Sequence, residues 1–200
     1  MNAPAKKPSR NHTKLLKAAR ALFVSQGYAE TGTEEIVARA GVTRGALYHQ
    51  FSDKKDLFRA LFLDMLNDVA MELFEKTMDE ITHDREDLVV GTRILLDLYS
   101  RKDIKQVILL DGPAVLGWEE WRTLQEPLNK ALVTHSLEHL VDEGILPKQP
   151  LEPLADLIGG SLMQAGLAIA NAKDPDAARK MYAKSLEALL APIATAKQVD

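Results

Sequence analysis

The sequence of 200 residues contains no cysteine, which excludes disulfides, thiolate zinc fingers and cysteine nucleophiles together. That absence is compatible with a reducing compartment. No apolar run approaches the length needed to cross a bilayer, because Asp, Lys or Gly interrupts the longest ones. The first twenty residues also lack the apolar core of a signal peptide. We therefore expect a cytoplasmic protein without a membrane partner.

Signatures of catalysis are equally scarce. No glycine-rich phosphate loop and no Ser/His/Asp arrangement stands out. One pattern, His135-Ser136-Leu137-Glu138-His139, matches H-x-x-E-H, in which two helical histidines bind zinc and the glutamate acts as base. So short a match arises readily on a charged helix, and nothing else in the chain resembles a protease. We expect surface or lightly buried histidines, no metal, no cofactor and no enzyme. A regulatory metal site is an alternative, and a metal-dependent hydrolase is the least favoured one.

The charge is divided unevenly along the chain, although the net charge is only −4. Residues 1–60 hold 11 basic and 5 acidic side chains, whereas residues 61–200 hold 14 basic and 24 acidic ones. A basic module on an acidic body indicates that only the first part meets a polyanion.

Apolar residues recur at helical spacing along most of the chain, and no strand pattern is convincing. The fold class is therefore predicted to be all-α. We expect a disordered basic arm over 1–10, a helix-turn-helix domain over 11–55 and a larger helical domain over 56–193, with a connecting helix over 53–80. Further helices are expected over 88–100, 102–110, 118–143, 151–171 and 175–190, with a break over 111–117 and a kink or split at Pro127.

The most informative segment is 33–55, which reads TEEIVARAGVTRGALYHQFSDKK. Thr33 and Thr43 are predicted to cap two short helices that Gly41 separates, and Asp53 to cap a longer one. Such a pair forms a helix-turn-helix, whose second helix enters the DNA major groove. Leu47, with Phe51 four residues later, is expected to point into the core.

Polar side chains on the predicted motif suit DNA. Hydroxyl, imidazole and ammonium groups contact phosphates, and the planar fork of arginine suits guanine or phosphate. We expect phosphate contacts from Thr33, Tyr48, His49 and Lys54, and positions nearest the bases for Thr43, Arg44 and Gly45. For Gln50, phosphate contact and adenine recognition are both left open.

A resemblance to a known family rests on the run Gly41-Val42-Thr43-Arg44-Gly45-Ala46-Leu47-Tyr48-His49-Gln50-Phe51, followed by Lys54, Leu57 and Phe58. This segment resembles the DNA-binding domain of the tetracycline-repressor (TetR/AcrR) family, and the match continues in register over roughly 11–62. Gln50 departs from the family, which usually has His or Tyr there. The resemblance implies about nine helices, a dimer formed by the last two, and repression of transcription at operator DNA until a small effector rearranges the dimer.

The last two predicted helices carry apolar and small residues that allow close helix approach. We expect them to form the homodimer interface, since two recognition helices about one DNA turn apart (roughly 34–36 Å) read a palindrome. Packing only within the subunit is the alternative. The candidate interface residues are Leu157, Ser161, Leu162, Ala165, Ala168, Met181, Ser185 and Leu189.

A pocket for the effector has weaker sequence support. Aromatic and apolar residues with a few polar groups form such cavities, although aromatic residues at helical spacing also build cores. The candidate lining residues are Tyr99, Trp118, Trp121, Met163 and Gln164. A helical ligand carrier whose first domain docks to protein is the rival function, and the uneven charge argues against it.

Overall fold

The computed structural model describes residues 9–83 and 86–194, and over these ranges it contains nine helices and no strand, as the all-α class and the resemblance predict. Residues 1–8 of the expected arm lie outside the described residues, while Arg10 already belongs to the first helix. The helices are α1 (Arg10–Glu30), α2 (Thr33–Ala40), α3 (Arg44–Gln50), α4 (Lys54–Glu80), α5 (Asp87–Tyr99), α6 (Lys102–Ile104, Lys105–Asp111 and Gly112–Leu116 in succession), α7 (Trp118–Asp142), α8 (Glu152–Asn171) and α9 (Pro175–Ala194).

Two of the three predicted side-chain caps are present. The Thr43 hydroxyl accepts from the Ala46 amide at 3.2 Å, and the Asp53 carboxylate from the Asp56 amide at 2.7 Å. The cap predicted at Thr33 is wrong. Gly32 takes the N-cap position with extended backbone, and Thr33 is the first residue of α2, half-buried. Glu34 and its neighbour still place negative charge at that positive helix end.

The N-terminal helices share one small core. Leu47 and Phe51 are buried, as predicted, and so is the apolar face of α1. The ring of Phe58 on α4 contacts those of Phe23 and Tyr28 edge-on, at centroid distances of 5.6 and 5.2 Å. These aromatic contacts pack α4 firmly against α1.

The expected break over 111–117 is wrong, because the helix continues to Leu116 and ends only at Gly117, where φ is +88°. Tight packing explains the glycine inside the helix. A Cβ on Gly112 would lie 2.7 Å from the ring of Trp121. The split expected at Pro127 is also not seen, since α7 is continuous through that exposed residue. Solvent can replace the lost backbone hydrogen bond there.

Polar contacts join α1 to the regulatory helices. Arg20 donates to Asp68 of α4 at 2.7 Å and to Asp103 of α6 at 2.9 Å. Asp111 accepts from the Tyr28 amide at 3.0 Å, and burial raises the pKa of this carboxyl. The two parts of the chain are therefore coupled through partly buried charges as well as through α4.

In the C-terminal part, α9 and α8 both pack on α5. By length and composition α8 meets the criterion for a membrane span, contrary to the sequence-based expectation, with mean hydropathy 1.3. One face of α8 is nevertheless a core face, where Gly166 lies against the buried ring of Tyr99. A core helix satisfies the same criterion, so α8 is weak evidence for a membrane.

Candidate functional site

Helix α3 presents a polar face to solvent. Thr43 at its N-cap, Arg44, Gly45 and His49 are exposed, and Tyr48 is 44% exposed. The opposite face carries Leu47, which is fully buried against α1 and α2. A short capped helix held from behind with polar side chains pointing outward has the geometry for entering a major groove.

The guanidinium of Arg44 has partners in the free protein. It forms an ion pair with Glu34 of α2 and lies 5.5 Å from the ring centroid of Tyr48. Both charged side chains are about two-thirds exposed, with fractions of 65% and 67%. Exposed ion pairs contribute at most about 1 kcal/mol, so the pair opens at little cost when a nucleic acid offers stronger acceptors.

Lys54 is held by the backbone before α2. Its Nζ donates to the carbonyl oxygens of Tyr28 and Thr31, both at 2.9 Å, and lies 4.0 Å from the ring centroid of Tyr28. An ammonium has three donors. Two of them therefore stabilise the connection between α1 and α2, and the third is not used by either carbonyl.

Gln50 also has a structural contact that sequence reasoning missed. Its Oε1 accepts from the hydroxyl of Ser9 at 3.0 Å, and Ser9 in turn caps α1. The two residues are 41 positions apart, so no local pattern signals the contact. Gln50 thus joins the end of α3 to the start of α1.

Comparison with known proteins agrees with this geometry. A family profile described as "Bacterial regulatory proteins, tetR family" matches residues 15–61, and one described as "Tetracyclin repressor-like, C-terminal domain" matches residues 85–193. The second match alone covers more than half of the chain.

The chain belongs to the TetR family of transcriptional regulators.

Individual relatives of this TetR-family protein match most of its length. The Transposon Tn10 TetC protein of Escherichia coli is 26% identical over 160 residues, which are 80% of each sequence. A crystal structure of a TetR-family regulator from Pectobacterium atrosepticum is 30% identical with a TM-score of 0.81, covering 93% of this chain and 96% of that one. The protein RolR, solved with the ligand resorcinol, shares the fold at 19% identity and a TM-score of 0.67, over 96% and 97% of the chains. These relatives are regulators rather than enzymes.

The residues expected to line an effector pocket in this TetR-family regulator separate into two groups. Trp118, Met163 and Gln164 line a surface groove of about 420 Å³ between α7 and α8. Tyr99 and Trp121 belong instead to the packed core, where the indole Nε1 donates to the Ile108 carbonyl at 2.7 Å. Burial raises the pKa of Tyr99. Trp118 is exposed and Trp121 is buried. Periodicity does not distinguish the two indoles, because residues about one helical turn apart lie on the same side of a helix.

A cavity of about 690 Å³ between α4, α5 and α7 was missed by sequence reasoning. Its walls are mostly apolar, with Leu73 and Phe74 of α4 facing Leu132 of α7. Asp87, His135 and His139 also line it. The histidine spacing was visible in the sequence, but nothing local placed Asp87 beside it.

The predicted interface residues of the TetR-family regulator also separate. Leu162 and Ala165 are buried within the subunit, so their assignment to the interface is wrong: the face of α8 that they share packs inward. Ser161 and Ala168 are half-buried. The others, Leu157 (73% exposed), Met181 (69%), Ser185 and Leu189, form an exposed, largely apolar set on α8 and α9.

Proposed function

We propose that this regulator is a cytoplasmic, ligand-responsive repressor that binds a palindromic operator as a homodimer and is released by a small molecule. The observation that carries the proposal is the outward face of α3, where a capped helix presents exposed Thr43, Arg44, Tyr48 and His49 while Leu47 anchors it to the core. Proteins of the TetR family bind DNA and typically act as dimers, which supports the same conclusion.

The polar side chains of the motif contact different parts of the DNA in this proposal. Arg44, at the N-terminal end of α3, reads base edges together with Thr43 and Gly45, because recognition helices contact bases through their first residues. Tyr48 and His49 contact phosphates further along the helix. In the same proposal Thr33, Gln50 and Lys54 contact the backbone from the edges of the motif; the last two also support the fold.

The exposed apolar residues of α8 and α9 support dimerisation. Leu157, Met181 and Leu189 are each more than half exposed, and several large apolar side chains in water on the same two helices are typical of a surface that a partner covers. A two-fold axis through this surface would pair each helix with its counterpart in a second subunit. Two α3 helices would then face one side of the duplex, as a palindromic operator requires.

The cavity between α4, α5 and α7 supports effector control. It has the size and the mixed apolar and polar lining of a small-molecule site. Helix α4 begins at Lys54, beside the DNA-facing surface, and its C-terminal part lines this cavity through Thr77 and Met78. A ligand that binds better to one position of α4 therefore changes the spacing of the two α3 helices. In RolR, a protein of the same fold, the bound ligand is resorcinol.

Binding to DNA is tested with purified full-length protein and the DNA upstream of its own coding sequence, at two salt concentrations and with nonspecific competitor. We expect saturable binding that weakens with salt and survives the competitor. Binding that the competitor removes would reduce the interaction to charge alone and move the operator elsewhere. No binding at low salt would overturn the proposed function.

A further inference from the structure

Three side chains that suit a metal ion meet at one end of the cavity between α4, α5 and α7. His135 and His139 are one turn apart on α7, with ring centroids 4.2 Å apart. Asp87, the first residue of α5, places Oδ2 2.8 Å from Nδ1 of His139. One ligand atom from each of the three lies within 4.8 Å of the other two.

The second observation concerns the buried oxygen of Asp87. The residue is only 6% exposed, and its Oδ1 has no hydrogen-bond partner among the described residues. A buried carboxylate oxygen without a partner is costly, and such groups in folded proteins usually have one. A cation held between this carboxylate and the two imidazoles would supply the missing interaction.

The donor set selects a class of ion. Two imidazoles and one carboxylate suit first-row divalent cations, and an open position beside three protein ligands is typical of zinc sites that bind a further molecule. Bonds of about 2.0–2.2 Å place tetrahedral donors roughly 3.4 Å apart. The three ligand atoms lie within 4.8 Å of one another, and His135 is exposed and His139 half-buried, so solvent rather than packing surrounds much of the two rings.

We propose that Asp87, His135 and His139 form a binding site for a divalent cation of the zinc class, whose open coordination position faces the cavity. Glu138, the glutamate of the H-x-x-E-H pattern, does not line this cavity. The carboxylate ligand comes from α5 instead, so the site is distinct from the hydrolase arrangement that the sequence pattern suggested. It replaces the expectation of no metal, and it does not depend on the proposed DNA-binding function.

Zn²⁺ binding to tag-free, full-length protein tests the site in the absence of DNA, after removal of metal with EDTA and dialysis. Competition with a chromophoric chelator gives the stoichiometry and the affinity. We expect one Zn²⁺ per chain, and a loss of affinity of at least about tenfold in His135→Ala and in Asp87→Asn. Glu138→Ala is the matched control, because it alters a neighbouring exposed residue of α7, and it should bind as the unmodified protein does.

Two further measurements separate loss of the metal site from loss of the fold. His135→Ala removes an exposed side chain, so circular dichroism should show an unchanged fold even if the buried Asp87→Asn variant proves unstable. Co²⁺ in place of Zn²⁺ should give the visible absorption of a four-coordinate site, which His135→Ala abolishes. Absence of stoichiometric Zn²⁺, or equal binding by His135→Ala and Glu138→Ala, would overturn the proposal, because the ion would then bind elsewhere or not at all.

Discussion

At the scale of single residues, Arg44 and Lys54 differ in what holds them. Arg44 pairs with an exposed carboxylate, and such a pair costs little to open. Lys54 is bonded to two backbone carbonyls and a ring, so it supports the fold before any DNA is present. Both were assigned to DNA from their residue type and position alone. Their surroundings predict different consequences of substitution.

Substitution of Arg44 should weaken specific recognition. Arg44→Ala is expected to cost about 1–3 kcal/mol of operator binding and to relax the base preference, because a bidentate contact to guanine is lost. Thermal stability should change little, since the pair with Glu34 is exposed. Fluorescence anisotropy with operator and with single-base variants measures both effects.

Arg122→Ala is the control for that experiment. It removes the same charge from the regulatory part of the chain, where Arg122 is half-exposed and pairs with Glu126 of its own helix. Equal losses in the two variants would assign the effect of Arg44 to net charge. An unchanged affinity and base preference in Arg44→Ala would remove this residue from the recognition surface.

Substitution of Lys54 should affect stability and DNA binding together. Lys54→Ala loses two hydrogen bonds to carbonyl oxygens, which predicts a decrease of about 1–3 kcal/mol in the free energy of unfolding. It should also weaken binding to all DNA sequences alike and lower the salt slope by about one unit. Lys55→Ala is the matched control for stability, since Lys55 is exposed and its nearest carboxylate, on Glu120, is 3.9 Å away.

Urea denaturation and salt-dependent binding separate the two roles of Lys54. An unchanged salt slope with reduced stability would leave Lys54 with its structural role alone. Full stability would contradict the importance of the two carbonyl contacts.

At the scale of elements, α8 is a helix with two different sides. Toward the core, a Cβ on Gly166 would lie 2.6 Å from the ring of Tyr99, whereas Gly160 has nothing within 4 Å of its added Cβ. The same residue type is therefore a packing requirement at one position and a loss of helix propensity at the other. The sequence alone gives both glycines the same meaning.

A pair of alanine substitutions tests this difference. Gly166→Ala should lower the free energy of unfolding by about 1–3 kcal/mol, because the buried ring must shift to admit a methyl group. Gly160→Ala should raise it by about 0.5–1 kcal/mol, as expected for glycine replaced within a helix. Denaturant unfolding at one fixed protein concentration compares them. Equal effects on both variants would contradict the close packing of α8 on α5.

At the scale of the whole molecule, α4 and α5 link three features. These are the DNA-facing helix α3, the cavity, and the exposed face of α8 and α9. The aromatic contacts of Phe58 fix one end of α4, and the cavity lies at the other. Helix α5 packs on both α8 and α9. In the proposed function, this arrangement would let an occupied cavity influence the geometry of the dimer, which no single element would do by itself.

Disruption of the exposed apolar face should dissociate the dimer. Leu157→Glu combined with Met181→Glu places like charges in the proposed interface, and we expect the dimer dissociation constant to rise at least about tenfold. Light scattering after size-exclusion chromatography measures the oligomeric state. Binding to a palindrome should weaken in parallel, while binding to a half-site should not.

Met71→Glu is the control at this scale. Met71 lies on α4 and is 60% exposed. Its substitution therefore also replaces an exposed apolar side chain by a carboxylate, but outside α8 and α9. A double variant that stays dimeric would place the interface elsewhere, and dissociation by Met71→Glu alone would implicate α4.

The sequence by itself determined the all-α class and most of the helices, because caps, glycines and apolar periodicity act over a few residues. The recognition helix is the best case: the Thr43 cap is a contact between neighbours in the sequence, and the apolar Leu47 marks which face of this seven-residue helix turns inward. The N-cap predicted at Thr33 is one residue off, even though caps are local. Gly32, just before it, adopts the extended backbone of an N-cap without a side-chain hydrogen bond, so residue type alone does not mark the cap.

Only the tertiary structure decided which faces of these helices meet. Asp87 and His139 are 52 residues apart, and Ser9 and Gln50 are 41 apart, so no local pattern records either contact. Helix packing likewise buries Trp121 in the core and leaves Trp118 at the surface. On α8 it buries Leu162 and leaves Leu157 exposed. Cavities and interfaces arise between distant segments, and their residues are selected by the shape of the assembled helices rather than by the sequence around each one.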